Sequence, residues 1–199
     1  MFASCGFDYS DSVYAKYIEI NIQAWQRYEK GEITVQELQI MRFSSLFDVL
    51  GVSYDVADFN ARYLYELGSG AFLVEGALEI CREIVSCGKK IYIITNGLVG
   101  TQEARAKHSP LHEYITGVFV SQAVGHQKPD KEYFEHVLKH IPADKDNMLI
   151  IGDSLTADIA GGNNAGIDTC WLNSHATKNL TAIKPVYEII HLQELQKFI

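Results

Sequence analysis

The alternation of short apolar segments with helical segments after residue 70 constrains the fold more than any other feature of this sequence. The apolar segments carry hydrophobic residues on both faces of a strand, as in Ile91-Tyr92-Ile93-Ile94. Strands of this kind, joined through helices, are typical of a parallel sheet with helices on both faces. We therefore predict an α/β fold for residues 70–199. The predicted strands are 90–94, 118–120, 148–151, 169–172 and 187–190, and the predicted helices are 75–87, 99–107, 130–140, 156–165 and 192–198.

The first 69 residues carry no convincing strand pattern and show the helical period instead. Thr34 and Glu37 form a capping-box pattern, which marks the start of a helix. The Gly68-Ser69-Gly70 turn is the best boundary between the helical pattern and the alternating strand–helix pattern. We predict a small α-helical unit at residues 1–69 and the α/β unit at residues 70–199. The predicted helices of the first unit are 11–30, 35–50 and 56–67.

The charge balance limits the partners of this chain. Seventeen Lys and Arg residues against 25 Asp and Glu residues give a net charge of −8. An acidic chain lacks the positive surface that nucleic acids and anionic membranes attract. The longest apolar runs are far shorter than the roughly 20 residues of a membrane span. We expect no nucleic acid and no membrane as partners, and a phosphate substrate would need a local site.

The cysteines indicate a reducing compartment. Cys5, Cys81, Cys87 and Cys170 show no C-x-x-C spacing, and hydrophobic residues make up 47% of the chain. A chain of this size builds a core without disulfides. We therefore expect reduced thiols and, because no signal-peptide pattern precedes Cys5, a cytoplasmic protein.

Polar residues follow three of the predicted strands. Ligands of open parallel sheets bind beyond the carboxyl ends of the strands, so side chains placed there are expected to converge. A hydroxyl, an amide, an ammonium group and two carboxylates suit a phosphate held against Mg²⁺. The residues are Thr95, Asn96 and Gly97 after the first strand, Lys128 after the second, and Asp153 with Asp158 after the third.

Each of these segments also has an ordinary structural explanation. Thr95-Asn96-Gly97 is suited to a turn, and Lys128 precedes a proline that suits a surface turn. Gly152-Asp153 is suited to capping the next helix, and Asp158 to a solvated helix position. Their order, each after a successive strand, favours a binding site over unrelated coincidences.

The segments that carry these residues resemble three motifs of the haloacid dehalogenase-like hydrolases. The resemblance implies a Rossmann-like parallel sheet with a small α-helical cap at residues 1–69. Asn163-Asn164-Ala165-Gly166 and residues 170–175 are most similar to the pyrimidine 5′-nucleotidase branch of that family. The three motifs are Ile93-Ile94-Thr95-Asn96-Gly97, Gln127-Lys128-Pro129-Asp130 and residues 151–162, which begin Ile151-Gly152-Asp153.

The resemblance implies a phosphatase reaction with a covalent aspartyl-phosphate intermediate. By motif, Thr95 would bond the transferring phosphoryl group, Asn96 and Gly97 would support it, and Lys128 would neutralise its charge. The implied substrate is a small phosphorylated molecule, a nucleoside 5′-monophosphate such as a pyrimidine nucleotide. The implied cofactor is Mg²⁺.

Two aspartates are implied at the metal, but the motif that should supply a third carboxylate is not found. Asp153 would coordinate Mg²⁺ and Asp158 would orient its ligand shell. The family's first motif, D-x-D-x-[TS] after an apolar strand, would supply the nucleophile and the acid–base as well. Asp8-Tyr9-Ser10-Asp11 has the wrong spacing, and Asp144-Lys145-Asp146 precedes a strand instead of following one. We expect these groups to be absent from the 199 residues.

The missing motif also predicts a structural cost. A central strand brings about four buried aliphatic side chains, worth roughly 1.5–3 kcal/mol each, or about 6–12 kcal/mol together. Typical total stabilities are about 5–15 kcal/mol. We expect the isolated chain to be inactive, and to be marginally stable or to self-associate, with a second copy filling the gap.

The sequence leaves a second function open. A regulatory protein that binds a phosphate ester at the same residues without turnover needs no nucleophile. A phospho-accepting receiver domain is disfavoured, because its Lys-Pro pair lies near the last strand, whereas at least two predicted strands follow Lys128-Pro129 here.

A few other residues are weaker candidates. Trp25, Arg27 and Arg42 lie in the helical unit, where they either select the substrate or serve as core and surface residues. His126 and His175 show no metal-ligand spacing, and a surface role suits them better.

Overall fold

A computed structural model of the protein describes residues 10–199. Cys5 and Asp8, which enter the sequence-based predictions, lie outside the described residues. The chain forms two compact units that divide between Ser69 and Gly70. The first is helical and the second combines strands with helices.

Three helices form the first unit, and local side-chain chemistry sets their ends. The Thr34 main-chain N–H donates to Glu37 Oε2 at 2.7 Å, and the Glu37 N–H donates to Thr34 Oγ1 at 3.2 Å, which completes the predicted capping box. Gly51 ends the second helix with φ of 65°, a left-handed conformation that glycine adopts without strain. The helices are α1 (Asp11–Glu29), α2 (Val35–Leu50) and α3 (Val56–Ser69).

Aromatic side chains build the core of the helical unit. Phe43 and Phe59 are fully buried, with ring centroids 4.9 Å apart in an edge-to-face arrangement. Tyr17 stacks on Phe43 at 5.8 Å, and Phe47 meets Phe59 edge-on at 5.0 Å. Such pairs add stabilisation beyond the burial of their area, so this unit holds a well-specified core of its own.

The second unit has the predicted parallel α/β architecture. All of its ladder pairings are parallel: β1 with β2, β3 with β4, and β4 with β5. The strands are β1 (Ile91–Thr95), β2 (Ile115–Val120), β3 (Leu149–Gly152), β4 (Asp168–Leu172) and β5 (Tyr187–Ile189). The helices are α4 (Ala77–Ser86), α5 (Val99–His108), α6 (Ser121–Val124), α7 (Lys131–His140) and α8 (Ala160–Ala165).

The sheet of this unit is interrupted between β1 and β3. Within residues 10–199 no ladder joins these two strands, so the five strands form a two-stranded and a three-stranded sheet. The hydrophobic layer nevertheless runs across both, because Ile94 of β1 and Ile150 of β3 belong to one cluster with Tyr133 and Phe134 of α7. A shared helix therefore holds together strands that share no hydrogen bonds.

The segment after β3 departs from the predicted single helix. Residues Leu155–Ile159 form a π-helical turn before α8, in which the Ile159 N–H donates to Ser154 O at 3.1 Å. The Ser154 hydroxyl caps this turn by accepting from the Ala157 N–H at 3.1 Å. Wide turns of this kind are frequent at functional sites, and hydrophobic periodicity does not reveal them.

Two further elements differ from their predicted form. β2 begins at Ile115, three residues before the predicted start, because Gly117 interrupts the apolar pattern but still pairs with Tyr92. The last segment, Leu192–Phe198, is a 3₁₀ helix and not the predicted α-helix. No helix in the described part of the chain has both the length and the apolar character needed to cross a membrane.

The cysteines of the described chain are free thiols. Cys81 is half-buried, Cys87 is exposed and Cys170 is buried. Burial raises the pKa of the Cys170 thiol to about 11, with a further contribution from the nearby Glu194 charge. Cys170 is therefore protonated at neutral pH and is an unreactive core residue.

Candidate phosphate and metal site

Lys128 links the two halves of the interrupted sheet. Its side chain is buried, and Nζ donates to the Ile94 carbonyl oxygen of β1 at 3.0 Å. The same ammonium group lies 2.6 Å from Asp158 Oδ1, in the segment that follows β3. The cation therefore lies where β1 and the turn after β3 come together.

Asn96 fixes the main chain of Lys128. Its Oδ1 accepts from the Lys128 N–H at 2.8 Å, and its Nδ2 donates to the Lys128 carbonyl oxygen at 2.9 Å. Asn96 is itself buried. The structure thus shows Asn96 holding Lys128 in place, while the direct contact with phosphate predicted from the sequence stays a prediction.

Thr95 and Gly97 form a tight turn at the end of β1. The Gly97 N–H donates to Thr95 Oγ1 at 3.1 Å, so the hydroxyl and the amide are brought together. Both residues are half-buried, which leaves part of each accessible. A hydroxyl beside a main-chain amide at a strand end is suited to bonding phosphate oxygens.

Tyr133 of α7 supports this turn, and sequence analysis did not identify it. Its fully buried hydroxyl accepts from the Thr95 N–H at 3.1 Å and donates to the Phe119 carbonyl oxygen at 2.8 Å. Burial raises the pKa of the Tyr133 phenol above its ordinary value, so the group stays a neutral donor. From the helical period alone, Tyr133 is indistinguishable from any other core residue of α7.

Asp158 is engaged by the protein on both of its carboxylate oxygens. Oδ1 pairs with Lys128, and Oδ2 accepts from the Ser154 N–H at 3.1 Å. The carboxylate packs so closely on Gly152 that a Cβ at that position would overlap it. Glycine at the end of β3 therefore makes room for Asp158, which lies close to the predicted metal site but points at Lys128.

Asp153 has the exposed carboxylate of this cluster. It directly follows β3, and its side chain is accessible. The Trp171 indole N–H donates to the Asp153 carbonyl oxygen at 3.0 Å, and Trp171 is itself buried on the neighbouring strand β4. Trp171, which sequence analysis also missed, anchors the main chain and leaves the Asp153 carboxylate facing solvent.

The described residues fit a magnesium ion only in part. An accessible carboxylate oxygen suits Mg²⁺, and Asp153 provides one, with Asp158 close behind it in the chain. No group of three or more potential ligand side chains gathers within residues 10–199. These residues would therefore supply only part of a ligand shell, and Asp153 is the residue that would hold the cation directly.

The weaker candidate residues from the sequence analysis are either exposed or packed in the helical unit. His126 and His175 are exposed. In the helical unit Arg42 is buried, Trp25 is half-buried against Tyr28, and the exposed Arg27 pairs with Glu32 at 3.4 Å. Arg42 and Trp25 thus have core roles, and Arg27 has a surface role.

Comparison with known proteins identifies the same family that the sequence motifs resemble. The family of haloacid dehalogenase-like hydrolases matches residues 7–172. The pyrimidine 5′-nucleotidase PynA of Streptococcus pneumoniae is 38% identical over 180 residues, which cover 90% of this chain and 76% of that protein. The pyrimidine 5′-nucleotidase YjjG of Escherichia coli is 30% identical over 200 residues, covering 100% and 88% of the two chains.

A solved structure resembles the whole described fold. The magnesium-bound crystal structure of the HAD-hydrolase family protein YfnB from Bacillus subtilis superposes with a TM-score of 0.89. The two sequences are 38% identical in this comparison, which covers 99% of this chain and 86% of YfnB.

Proposed function

This chain belongs to the haloacid dehalogenase-like hydrolases, and on that premise we propose that its site serves Mg²⁺-dependent hydrolysis of a phosphomonoester, with a pyrimidine nucleoside 5′-monophosphate as the substrate. The matched relatives PynA and YjjG are pyrimidine 5′-nucleotidases, and this supports the substrate class. The magnesium-bound YfnB structure supports the cofactor.

One observation carries the proposal: the Lys128 ammonium group is buried at the junction of β1 and the turn after β3. A buried cation at the carboxyl ends of parallel strands is placed to balance the charge of a bound phosphate. In the proposed site the phosphate oxygens take their hydrogen bonds from Lys128 Nζ, Thr95 Oγ1 and the main chain near Gly97. Asn96 and Tyr133 keep these donors in position.

Asp153 would hold Mg²⁺ through its exposed carboxylate, with Asp158 orienting the segment between them. The cation, when bound, supplies positive charge that offsets the charge of the phosphoryl group. The Asp158–Lys128 pair sets where the ammonium group lies relative to the bound phosphate.

The nucleophile and the acid–base belong to the D-x-D-x-[TS] motif, which this sequence does not contain. We propose that these aspartates act from the end of a strand that pairs between β1 and β3. The two strands have no ladder with each other in the described chain but share one hydrophobic cluster, which supports the placement.

The absence of the motif from the sequence favours a second candidate function for the 199 residues by themselves. They would bind a phosphate ester at Thr95, Gly97 and Lys128 without breaking it. Phosphate release and phosphate binding must therefore be measured separately.

The test compares two proteins: the 199-residue chain, and the same chain with an N-terminal extension that ends an apolar strand in D-x-D-x-T. Phosphate release from UMP and dTMP is followed with Mg²⁺ and with EDTA, and UMP binding is followed by calorimetry. We expect Mg²⁺-dependent release from the extended protein alone, abolished by Asp153→Asn.

Each contrary result has its own meaning. Release by the 199-residue chain would place the nucleophile within these residues. Binding of UMP by both proteins, without release by either, would favour the binding function. Neither binding nor release of any nucleotide would refute the substrate assignment.

A further inference from the structure

Two histidines that take no part in the proposed phosphate and metal site lie on the face of α7 that contacts β2. His136 and His140 are one helical turn apart, and their ring centroids lie 4.4 Å apart at an interplanar angle of 30°. His136 is half-buried and His140 is exposed. Both rings contact Phe119 of β2, at centroid distances of 6.3 Å and 6.1 Å. The two imidazoles are therefore held side by side against one aromatic ring.

A hydrogen bond sets the tautomer of His140. Its Nδ1 lies 2.8 Å from the His136 carbonyl oxygen. A carbonyl oxygen only accepts, so Nδ1 carries the hydrogen in this bond, and the lone pair of the neutral ring is on Nε2. Histidines that bind metals typically donate their other ring N–H to a carbonyl or a carboxylate. His140 already has this arrangement in the described structure.

We propose that His136 and His140 form a two-residue chelate for a divalent transition cation such as Zn²⁺, Ni²⁺ or Cu²⁺. Imidazole nitrogens suit these cations. Two nitrogens that bind one ion at 2.0–2.1 Å in tetrahedral geometry lie about 3.3 Å apart. Rings with centroids 4.4 Å apart reach that spacing by small side-chain rotations. Water fills the other positions, because no third ligand side chain joins the pair within the described chain.

The charged side chains around His136 and His140 do not oppose the binding of a cation there. Lys131 is paired with Glu135 at 2.9 Å, which balances the closest part of the helix surface. Glu132, one turn before His136, is exposed on the same stripe of the helix. Lys139 is the positive side chain next to the pair, and it is exposed and free to turn to solvent.

A bound cation would join the last two turns of α7. Tyr133, which lies on the same face of this helix two turns before His140, holds Thr95 and Phe119. Binding is therefore expected to slow hydrogen exchange of the α7 amides, with no new contact to the phosphate site.

The chain contains a matched control for the sequence pattern. His108 and His112 have the same spacing, but α5 ends at His108, and Ser109 is extended with ψ of 139°. These two side chains therefore do not share a helical face. The proposal predicts cation binding at one H-x₃-H segment and not at the other.

The experiment titrates tag-free protein with NiCl₂ and with ZnCl₂ by calorimetry, in the presence of millimolar MgCl₂. The variants are His136→Gln, His140→Gln and the control His108→Gln/His112→Gln. We expect one saturable site, weakened by a factor on the order of ten or more in each α7 variant and unchanged in the control. Broadening of the His136 and His140 ring proton signals by Ni²⁺ provides a second readout. Circular dichroism in EDTA checks that the variants are folded.

Three results would overturn the proposal. They are the absence of saturable binding, unchanged binding in the folded α7 variants, and loss of binding in the control. The outcome does not depend on phosphatase activity. Asp153→Asn should leave the Ni²⁺ affinity unchanged, so failure here and failure of the proposed function are separate results.

Discussion

Among residues 10–199, each of the two units buries one cationic side chain, and the two side chains are held in different ways. Lys128 in the α/β unit pairs with Asp158 at 2.6 Å. Arg42 in the helical unit lies over the rings of Phe43 and Tyr63, at 4.8 Å and 4.6 Å from their centroids. No carboxylate pairs with Arg42 among residues 10–199, and its Nε has no hydrogen-bond partner there.

The difference distinguishes Lys128, the proposed phosphate-binding residue, from Arg42, a core residue. The Lys128 ammonium group makes one hydrogen bond to a carbonyl oxygen and one to a carboxylate oxygen. An anionic ligand is therefore able to accept a further hydrogen bond from the same ammonium group. The Arg42 guanidinium is enclosed by aromatic faces and by Asn60, which accepts its Nη2 at 3.0 Å. Burial lowers the pKa of Arg42 below its ordinary value, so the enclosure costs this cation solvation. Arg42 therefore belongs to the packed core of the helical unit, whereas Lys128 is placed to serve the proposed phosphate site.

The largest effect is expected from Lys128→Met. This change leaves the Asp158 carboxylate buried without its cation, and removal of one partner of a buried pair typically costs about 3–5 kcal/mol. We expect that loss in urea unfolding, together with loss of phosphate binding. The double variant Lys128→Met/Asp158→Leu should regain part of the stability but none of the binding. A Lys128→Met protein as stable as the parent would show that the pair is not buried as described.

Tyr133→Phe should cause the next largest loss in the free energy of unfolding. It removes the hydroxyl that serves both Thr95 and Phe119, so two partly buried main-chain groups lose a partner, at about 1–3 kcal/mol in the free energy of unfolding. Tyr63→Phe is the matched control in the helical unit, since its hydroxyl accepts from the Tyr17 hydroxyl at 2.9 Å. We expect a smaller loss there, about 1 kcal/mol. Equal losses would mean that the two hydrogen bonds of Tyr133 stabilise the fold no more than the single hydroxyl contact of Tyr63 does.

Arg42→Met should cost less than Lys128→Met, which makes it the direct test of the comparison. The change removes contacts with two rings, worth about 0.5–2 kcal/mol, and also removes a desolvated charge. Replacing buried charges by apolar side chains is often neutral or better. We expect a net loss below about 2 kcal/mol by urea unfolding, with phosphate binding unchanged. A larger loss than that of Lys128→Met would reverse the assignment of the two cations.

Sequence reasoning reached the parallel α/β architecture because hydrophobic period and turn chemistry are local properties. The capping box of Thr34 and Glu37 is an example of such a local signal, because both of its hydrogen bonds form as the sequence pattern predicts. The convergence of Lys128 with Asp158 was also within reach, because strand ends of a parallel sheet meet at one edge.

The residues that hold the main chain of the site in place could not be predicted from the sequence, for a physical reason. Tyr133 and Trp171 act through single hydrogen bonds to main-chain groups far away in the sequence, at Thr95 and Asp153. Their positions look like ordinary core positions, and only tertiary packing selects the bond. Asn96 is predicted at the site by its motif, but only tertiary packing selects the two hydrogen bonds between its side chain and the main chain of Lys128.

The smallest effect concerns a carboxylate that caps a helix in the α/β unit. The main-chain N–H of Ile190, then Lys197 and then the N–H of His191 lower the pKa of Glu194 from 4.5 to about 2. Because the folded pKa lies below the unfolded one, this carboxylate stabilises the fold above pH 4.5, and that contribution is lost as the pH falls toward 2. In Glu194→Gln we expect a lower Tm at pH 7, and a difference from the parent that shrinks to nothing near pH 2.

The helical unit has a counterpart in Glu37, whose pKa the Thr34 N–H and hydroxyl also lower. Glu37→Gln should give the same pattern, a Tm difference that is present at neutral pH and vanishes in acid. Thermal unfolding from pH 7 to pH 2.5 checks both variants against the parent. A difference that persists unchanged at pH 2.5 would mean that the two side chains act through packing rather than charge.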